Sequence, residues 1–124
     1  MFSIDSKSHE PIYLQIEKQI LKMIQLGIYP ENSPLPSVRA MACSLGINPN
    51  TVARAYKDLE VQNVIYTIVG KGVFVSSENE KYIKSLALDE VRRIILNARN
   101  AGIPKEEIIN LINNEWRENN DSDK

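Results

Sequence analysis

The side chains best equipped for chemistry gather in two short stretches. The segment SVRAMACSLGINPNTVARAYKDLE, residues 37–60, carries Arg39, Asn48, Asn50, Thr51, Arg54 and Lys57, and the later GKG, residues 70–72, adds Gly70 and Lys71. Arginine and lysine donate to phosphate and to guanine, asparagine pairs with adenine, and threonine serves any base edge. Glycine lets a backbone approach a ligand closely. The sequence shows no nucleophile paired with a base, no phosphate-cradling glycine loop and no catalytic carboxylate pair. This is the chemistry of recognition, and no enzymatic activity is expected.

The elements that position these residues follow from spacing. Pro11 opens a first helix, carried by Ile12, Ile16, Ile20, Met23 and Ile24 and stopped by Gly27. YPENSPLPS then forbids helix with its prolines, and Leu35 there can add a short strand. Ser37 caps a second helix with Val38, Met41, Ala42 and Leu45 on one face, and Gly46 ends it. Asn48 caps a third helix with Pro49 at its first position and Val52, Ala55, Tyr56 and Leu59 as its buried stripe. Two short helices joined by a tight glycine turn form a helix-turn-helix. On a helical wheel Arg54 lies opposite that stripe, with Asn50 and Lys57 nearby, so this face is expected to enter a major groove.

VIYTIVGKGVFV reads as strands Val64–Ile68 and Val73–Val75 around a glycine-bounded tip, the wing of a winged helix. SSENE reads as a polar linker. A fourth helix holds Ile83, Ala87, Val91, Ile94, Ile95 and Ala98, and a fifth starts at Pro104 and holds Ile108, Leu111, Ile112 and Trp116. The tail NNDSDK is expected to fray. The expected fold is mainly α with a small β wing. Residues 1–77 form a winged helix-turn-helix domain, and residues 78–124 form a two-helix dimerisation segment.

Composition narrows the classes. The net charge of −1 gives no general basic coat. Within residues 36–75, however, Arg39, Arg54, Lys57 and Lys71 face only Asp58 and Glu60, which supports focused nucleic-acid contact. No apolar run approaches the roughly 18 residues of a membrane span, and the start lacks a signal-peptide layout. The single cysteine, Cys43, excludes an internal disulfide and suits a reducing compartment. A cytoplasmic location is expected, with no membrane partner. Cys43 lacks a second cysteine or basic neighbours for redox sensing, and His9 belongs to no metal-spaced cluster, so neither metal nor cofactor is expected.

The residues PIYLQIEKQI (11–20), LPSVRAMACSLGINPNTVARAYKDLE (35–60) and GKGVFV (70–75) resemble the GntR family of bacterial transcription regulators, and most closely its small YtrA-like branch. The match covers nearly the whole of residues 1–77, and the remainder is similar in length and periodicity to the short dimerising tail of that branch. Asn63 stands where a glycine is common, and Met41 replaces a usual leucine. Ala53 takes a position where much of the family has a DNA-contacting arginine, so Arg54 is expected to assume part of that role. The resemblance implies a homodimeric repressor on an inverted-repeat, double-stranded operator, and control of a neighbouring transporter operon. It names no small-molecule effector. A winged-helix protein–protein interaction module is the alternative from another class, but the exposed helix face offers Asn50, Thr51, Arg54 and Lys57 rather than an apolar patch.

The dimer contacts are expected at Leu86, Val91, Ile94, Ile95, Ile108, Leu111, Ile112 and Trp116. Two helices cannot bury that much apolar surface against each other alone. They also leave little room for an enclosed effector cavity of a few hundred Å³. Trp116 is read as a core or interface anchor.

Overall fold

The computed structural model describes residues 2–122, with side chains described as far as Arg117. Among these residues the chain forms helices α1 (Ile12–Gln25), α2 (Val38–Leu45), α3 (Pro49–Val61), α4 (Asn79–Asn100) and α5 (Lys105–Ser122). Strands β1 (Pro34–Leu35), β2 (Ile65–Ile68) and β3 (Gly72–Val75) make an antiparallel sheet in the order β1-β3-β2. The contacts divide the chain into two compact units, Met1–Lys84 and Ser85–Lys124.

In the first unit, α1 packs on α3, α2 packs on α3, and α3 meets β2. Ile16 and Ile20 of α1, Val52 and Leu59 of α3, Val64, Ile65 and Val75 are the largest fully buried side chains. They come from the expected stripes of the first and third helices and from the strand runs, and α2 adds Met41 and Ala42, so the periodicities converge on one core. Burial of such a side chain is worth about 1.5–3 kcal/mol. Tyr82 and Ile83, from the first turns of α4, pack against the same core.

The helix ends share one device. Beyond each of α1, α2, α3 and α4, a residue in the left-handed conformation sends its N–H, and that of the next residue, back to the last turn. At α3 these bonds are Asn63 N–H to Glu60 O (3.0 Å) and Val64 N–H to Leu59 O (2.9 Å). Asn63 has φ 61°, which asparagine tolerates better than other residues with a Cβ. Pro49 is the first residue of α3, whereas the other two prolines at helix starts sit just outside: Pro11 has ψ 147° and precedes α1, and Pro104 precedes α5. Their carbonyls accept the first helical bonds, as in Leu14 N–H to Pro11 O (3.1 Å) and Glu107 N–H to Pro104 O (3.1 Å).

Two expectations change. SSENE is not a linker throughout, because α4 begins at Asn79. Ser76 Oγ accepts from Glu78 N–H (3.0 Å), and the buried Asn79 amide donates to Ser76 O (2.7 Å), which folds this polar run into a helix entry. The tail expected to fray at NNDSDK is helical through Ser122, and its last two residues lie outside the described ones.

In the second unit, the second part of α4 and α5 are joined at Ala101–Pro104, where Gly102 has φ 86°. Gly102 N–H reaches Arg99 O (3.0 Å) and Ile103 N–H reaches Ala98 O (3.1 Å). An open groove of about 520 Å³ runs between the helices, lined by residues including Ile94, Ile95, Ala98, Ile108 and Leu111. Leu111 is 60% exposed and Trp116 67%, so Trp116 is not a core residue of the single chain. Leu86, Val91, Ile94, Ile95 and Ile112 are also exposed, and Ile108 is half-buried. No described helix is long and apolar enough to cross a membrane.

Candidate nucleic-acid interface

The two caps build the turn that presents α3. Ser37 Oγ accepts from Ala40 N–H at 3.0 Å, and Asn48 Oδ1 accepts from Asn50 N–H at 2.8 Å. Each satisfies a donor that the helix start would otherwise leave open. Because Asn48 caps through its oxygen, its amide nitrogen is left to donate outward. Gly46, at φ 66°, makes the turn between α2 and α3 tight. Tyr56 then ties the two helices together: its hydroxyl donates to Pro36 O at 2.6 Å, just before α2. Burial pushes the Tyr56 phenol up, with Tyr29 adding to the effect, so it stays a donor.

Arg39, Asn48, Asn50, Arg54, Lys57, Gly70 and Lys71 are all exposed, and Thr51 is half-buried. Among the described residues Arg39, Lys57 and Lys71 form no ion pair. The acidic neighbours are engaged elsewhere. Glu60 accepts the Thr67 hydroxyl at 2.6 Å, tying the end of α3 to β2, and Asp58 is hydrogen-bonded to Glu17 of α1. On α4, by contrast, Arg92 pairs with Asp89 and Arg93 with Glu90. Arg39, Lys57 and Lys71 are therefore free to meet an external anion, while those two α4 cations are matched within their helix.

The hairpin between β2 and β3 turns through Val69, Gly70 and Lys71, closed by Lys71 N–H to Ile68 O at 2.9 Å. Gly70 at φ 81° supplies the left-handed third position of that turn, which leaves Lys71 projecting next to a backbone without bulk. Val69 at the tip is 95% exposed, and sequence reasoning, which ended the strand at Ile68, passed over it. The base of the wing is braced by Tyr66, which stacks on Phe74 (5.6 Å between centroids) and donates to Asn32 Oδ1 at 2.9 Å.

Arg54 occupies a place the wheel did not anticipate. Its guanidinium carbon lies 3.7 Å from the centroid of the Tyr13 ring, so the side chain leans back over α1 instead of standing clear of the helix. Its charge also reaches Glu17, which is 7% exposed and interacts with Asp58. Burial, the hydrogen bond to Asp58 and the charge of Asp58 together raise the Glu17 carboxyl to about 7, and Arg54 opposes that rise. Tyr13, Glu17 and Asp58 were missed by sequence reasoning. The available signal was an acidic residue wedged between Ile16 and Ile20 on an apolar stripe, with an aromatic one turn earlier. No group of His, Cys, Asp or Glu among the described residues is placed to hold a metal. Cys43 is a free, exposed thiol.

A helix-turn-helix braced by a wing, with unmatched cations on both, defines a DNA-binding winged-helix regulator. Residues 12–75 match the family of bacterial regulatory proteins named for gntR, and the chain belongs to that family of DNA-binding transcriptional regulators. It is 36% identical over 113 residues to the HTH-type transcriptional repressor YtrA of Bacillus subtilis, covering 87% of this chain and 86% of that relative. A GntR family transcriptional regulator from Listeria monocytogenes superposes with TM-score 0.77 at 33% identity, over 90% of this chain and 98% of that one. The DNA-binding domain of AraR, solved in complex with operator ORR3, superposes with TM-score 0.54 at 25% identity, over 61% of this chain and 92% of that one.

Proposed function

We propose that this chain is a homodimeric transcriptional repressor that occupies an inverted-repeat operator and acts in the cytoplasm. In this reading residues 1–77 contact DNA and residues 78–124 pair two copies. The observation that carries it is the set of exposed, unmatched cations Arg39, Lys57 and Lys71 around the polar first turn of α3. Arg39 and Arg54 supply base or phosphate contacts, Asn50, Thr51 and Lys57 line the groove, Asn48 donates to a phosphate, and Lys71 with Gly70 follows the minor groove. The AraR domain bound to an operator and the repressor function of the YtrA relative support the assignment. Control of a transporter operon is the role that likeness to YtrA-type regulators implies.

One recognition helix reads only a few base pairs, so specificity needs two half-sites related by the two-fold axis of a dimer. The exposed apolar residues of α4 and α5 provide the surface for pairing, and the groove between them is a seat for the second copy. The test is selection of duplexes from a randomised library by the full-length protein, followed by footprinting. An inverted repeat protected on both halves is expected. Recovery of a single asymmetric half-site, or of no preferred sequence, overturns the proposal.

A further inference from the structure

The contact between α1 and α3 holds two carboxyl groups, Glu17 and Asp58, and Glu17 feels the charge of Arg54, the arginine assigned to DNA. Glu17 is buried there and Asp58 half-buried, and apolar helix contacts rarely hold such a pair without a cation between them. Here the cation that acts on Glu17, Arg54, lies over the Tyr13 ring at 3.7 Å, where cation–π attraction and the carboxyl pair compete for it. Glu17 Oε2 is buried and has no hydrogen-bond partner. The titratable and charged groups facing Glu17 are Asp58 and Arg54 of α3 and Tyr82 of α4, with Tyr13 beneath Arg54 on α1 itself. Burial raises the Tyr82 phenol, and the Glu17 and Asp58 charges raise it further, so it is neutral at ordinary pH.

We propose that Glu17 and Asp58 form a proton-dependent brace that positions Arg54: with one proton shared, Arg54 is released toward DNA, and with both carboxyls ionised it is held back against α1. The proposal rests on the assignment of Arg54 as a DNA contact. Two like charges at hydrogen-bond distance in a buried contact do not both ionise cheaply, so Glu17 keeps its proton and donates it to Asp58. Near neutral pH the proton leaves, and the new negative charge acts in two ways with the same sign. It attracts the guanidinium of Arg54 inward, and it repels the phosphates that α3 approaches. By reciprocity, bound DNA favours the protonated pair, so binding takes up one proton per subunit. Affinity above the Glu17 midpoint then falls by up to about tenfold per pH unit for each bound subunit.

The experiment uses the full-length protein and, as probe, a duplex that it enriches from a randomised library. Affinity is measured at constant ionic strength from about pH 6 to about pH 8.5, a window that spans the Glu17 transition. The parent should weaken as pH rises, whereas Glu17→Gln, which mimics the protonated carboxyl, should keep the low-pH affinity throughout. Asp58→Asn should move the transition to lower pH. If Glu17→Gln keeps the slope of the parent, or the parent shows no slope, the brace is refuted. Arg54→Ala at low pH separates the two layers of the argument. Weak binding by that variant alongside an unchanged Glu17→Gln slope sinks only the brace, and parental binding by Arg54→Ala sinks the DNA-contact assignment together with it. Carboxyl carbon NMR of Glu17 in the unmutated protein gives a readout independent of any variant. Added duplex must raise its midpoint, and an unmoved midpoint overturns the proposal.

Discussion

The Tyr56 hydroxyl donates a 2.6 Å hydrogen bond to the carbonyl of Pro36, twenty residues earlier in the chain. Pro36 immediately precedes the cap of α2, so this bond fixes where α2, and Arg39 on its first turn, stands relative to α3. Tyr56→Phe keeps the buried ring and leaves the Pro36 carbonyl without this donor. We expect a loss of about 0.5–1.5 kcal/mol of stability. Urea unfolding should show a lower midpoint with an unchanged slope. An unchanged midpoint means that the bond does not brace the helix pair.

Lys71 stands on the hairpin tip, exposed and outside any ion pair among the described residues. A phosphate contact there carries no base information, so Lys71→Ala should weaken binding to selected and unselected duplexes alike. The slope of log affinity against log salt should become shallower by about one per subunit. Binding isotherms across a salt series check this. A variant that loses sequence preference while keeping its salt slope shows that Lys71 reads bases instead.

Much of this interface was legible in the residues. Ser37 and Asn48 announce helix starts because a side-chain oxygen must meet an open N–H, and both do so here. Gly46 and Asn63 announce helix ends because few residues tolerate a left-handed backbone, and both adopt it. Such signals are local, so a single sequence contains them. The position of Arg54 over Tyr13 is not local. It depends on how α1 crosses α3, which the apolar stripes fix only as to which faces meet. For the same reason Glu17 went unnoticed: its burial follows from the packing of α1 on α3, which lies two helices further along the sequence. The entry of α4 at Asn79 was hidden by a polar run whose serine and asparagine fold back on their own backbone.

Glu17 also makes stability depend on pH. Its carboxyl is held at about 7 in the folded chain, against about 4.3 for an unfolded glutamate. The folded state therefore binds more protons between these values. The favourable contribution is fully present below the unfolded value and is lost as pH rises through about 7. Thermal unfolding should show a falling melting temperature across that interval. Glu17→Gln should remove this dependence and stabilise the protein at alkaline pH, by an amount on the order of 1–3 kcal/mol. A variant with the same pH profile as the parent shows that another group is responsible.

The apolar surface of the second unit yields the last prediction. Val91 is 48% exposed, Ile94 55%, Leu111 60% and Trp116 67%, although α4 and α5 already pack along the groove between them. Leaving such surface in water forgoes about 25 cal/mol for each Å² that a partner would cover. A second copy presents the same residues and satisfies them by symmetry. A charge at the middle of that surface should break the pairing without disturbing the first unit, whose core lies in α1, α2, α3 and the sheet. We expect Leu111→Asp to sediment as a monomer with the far-ultraviolet signature of the parent. Its affinity for an inverted-repeat duplex should fall by orders of magnitude, while its much weaker binding to one half-site is retained. Truncation after Lys84, which keeps Tyr82 and Ile83 on the core, should behave in the same way. A Leu111→Asp protein that still sediments as a dimer and holds both half-sites places the pairing surface elsewhere.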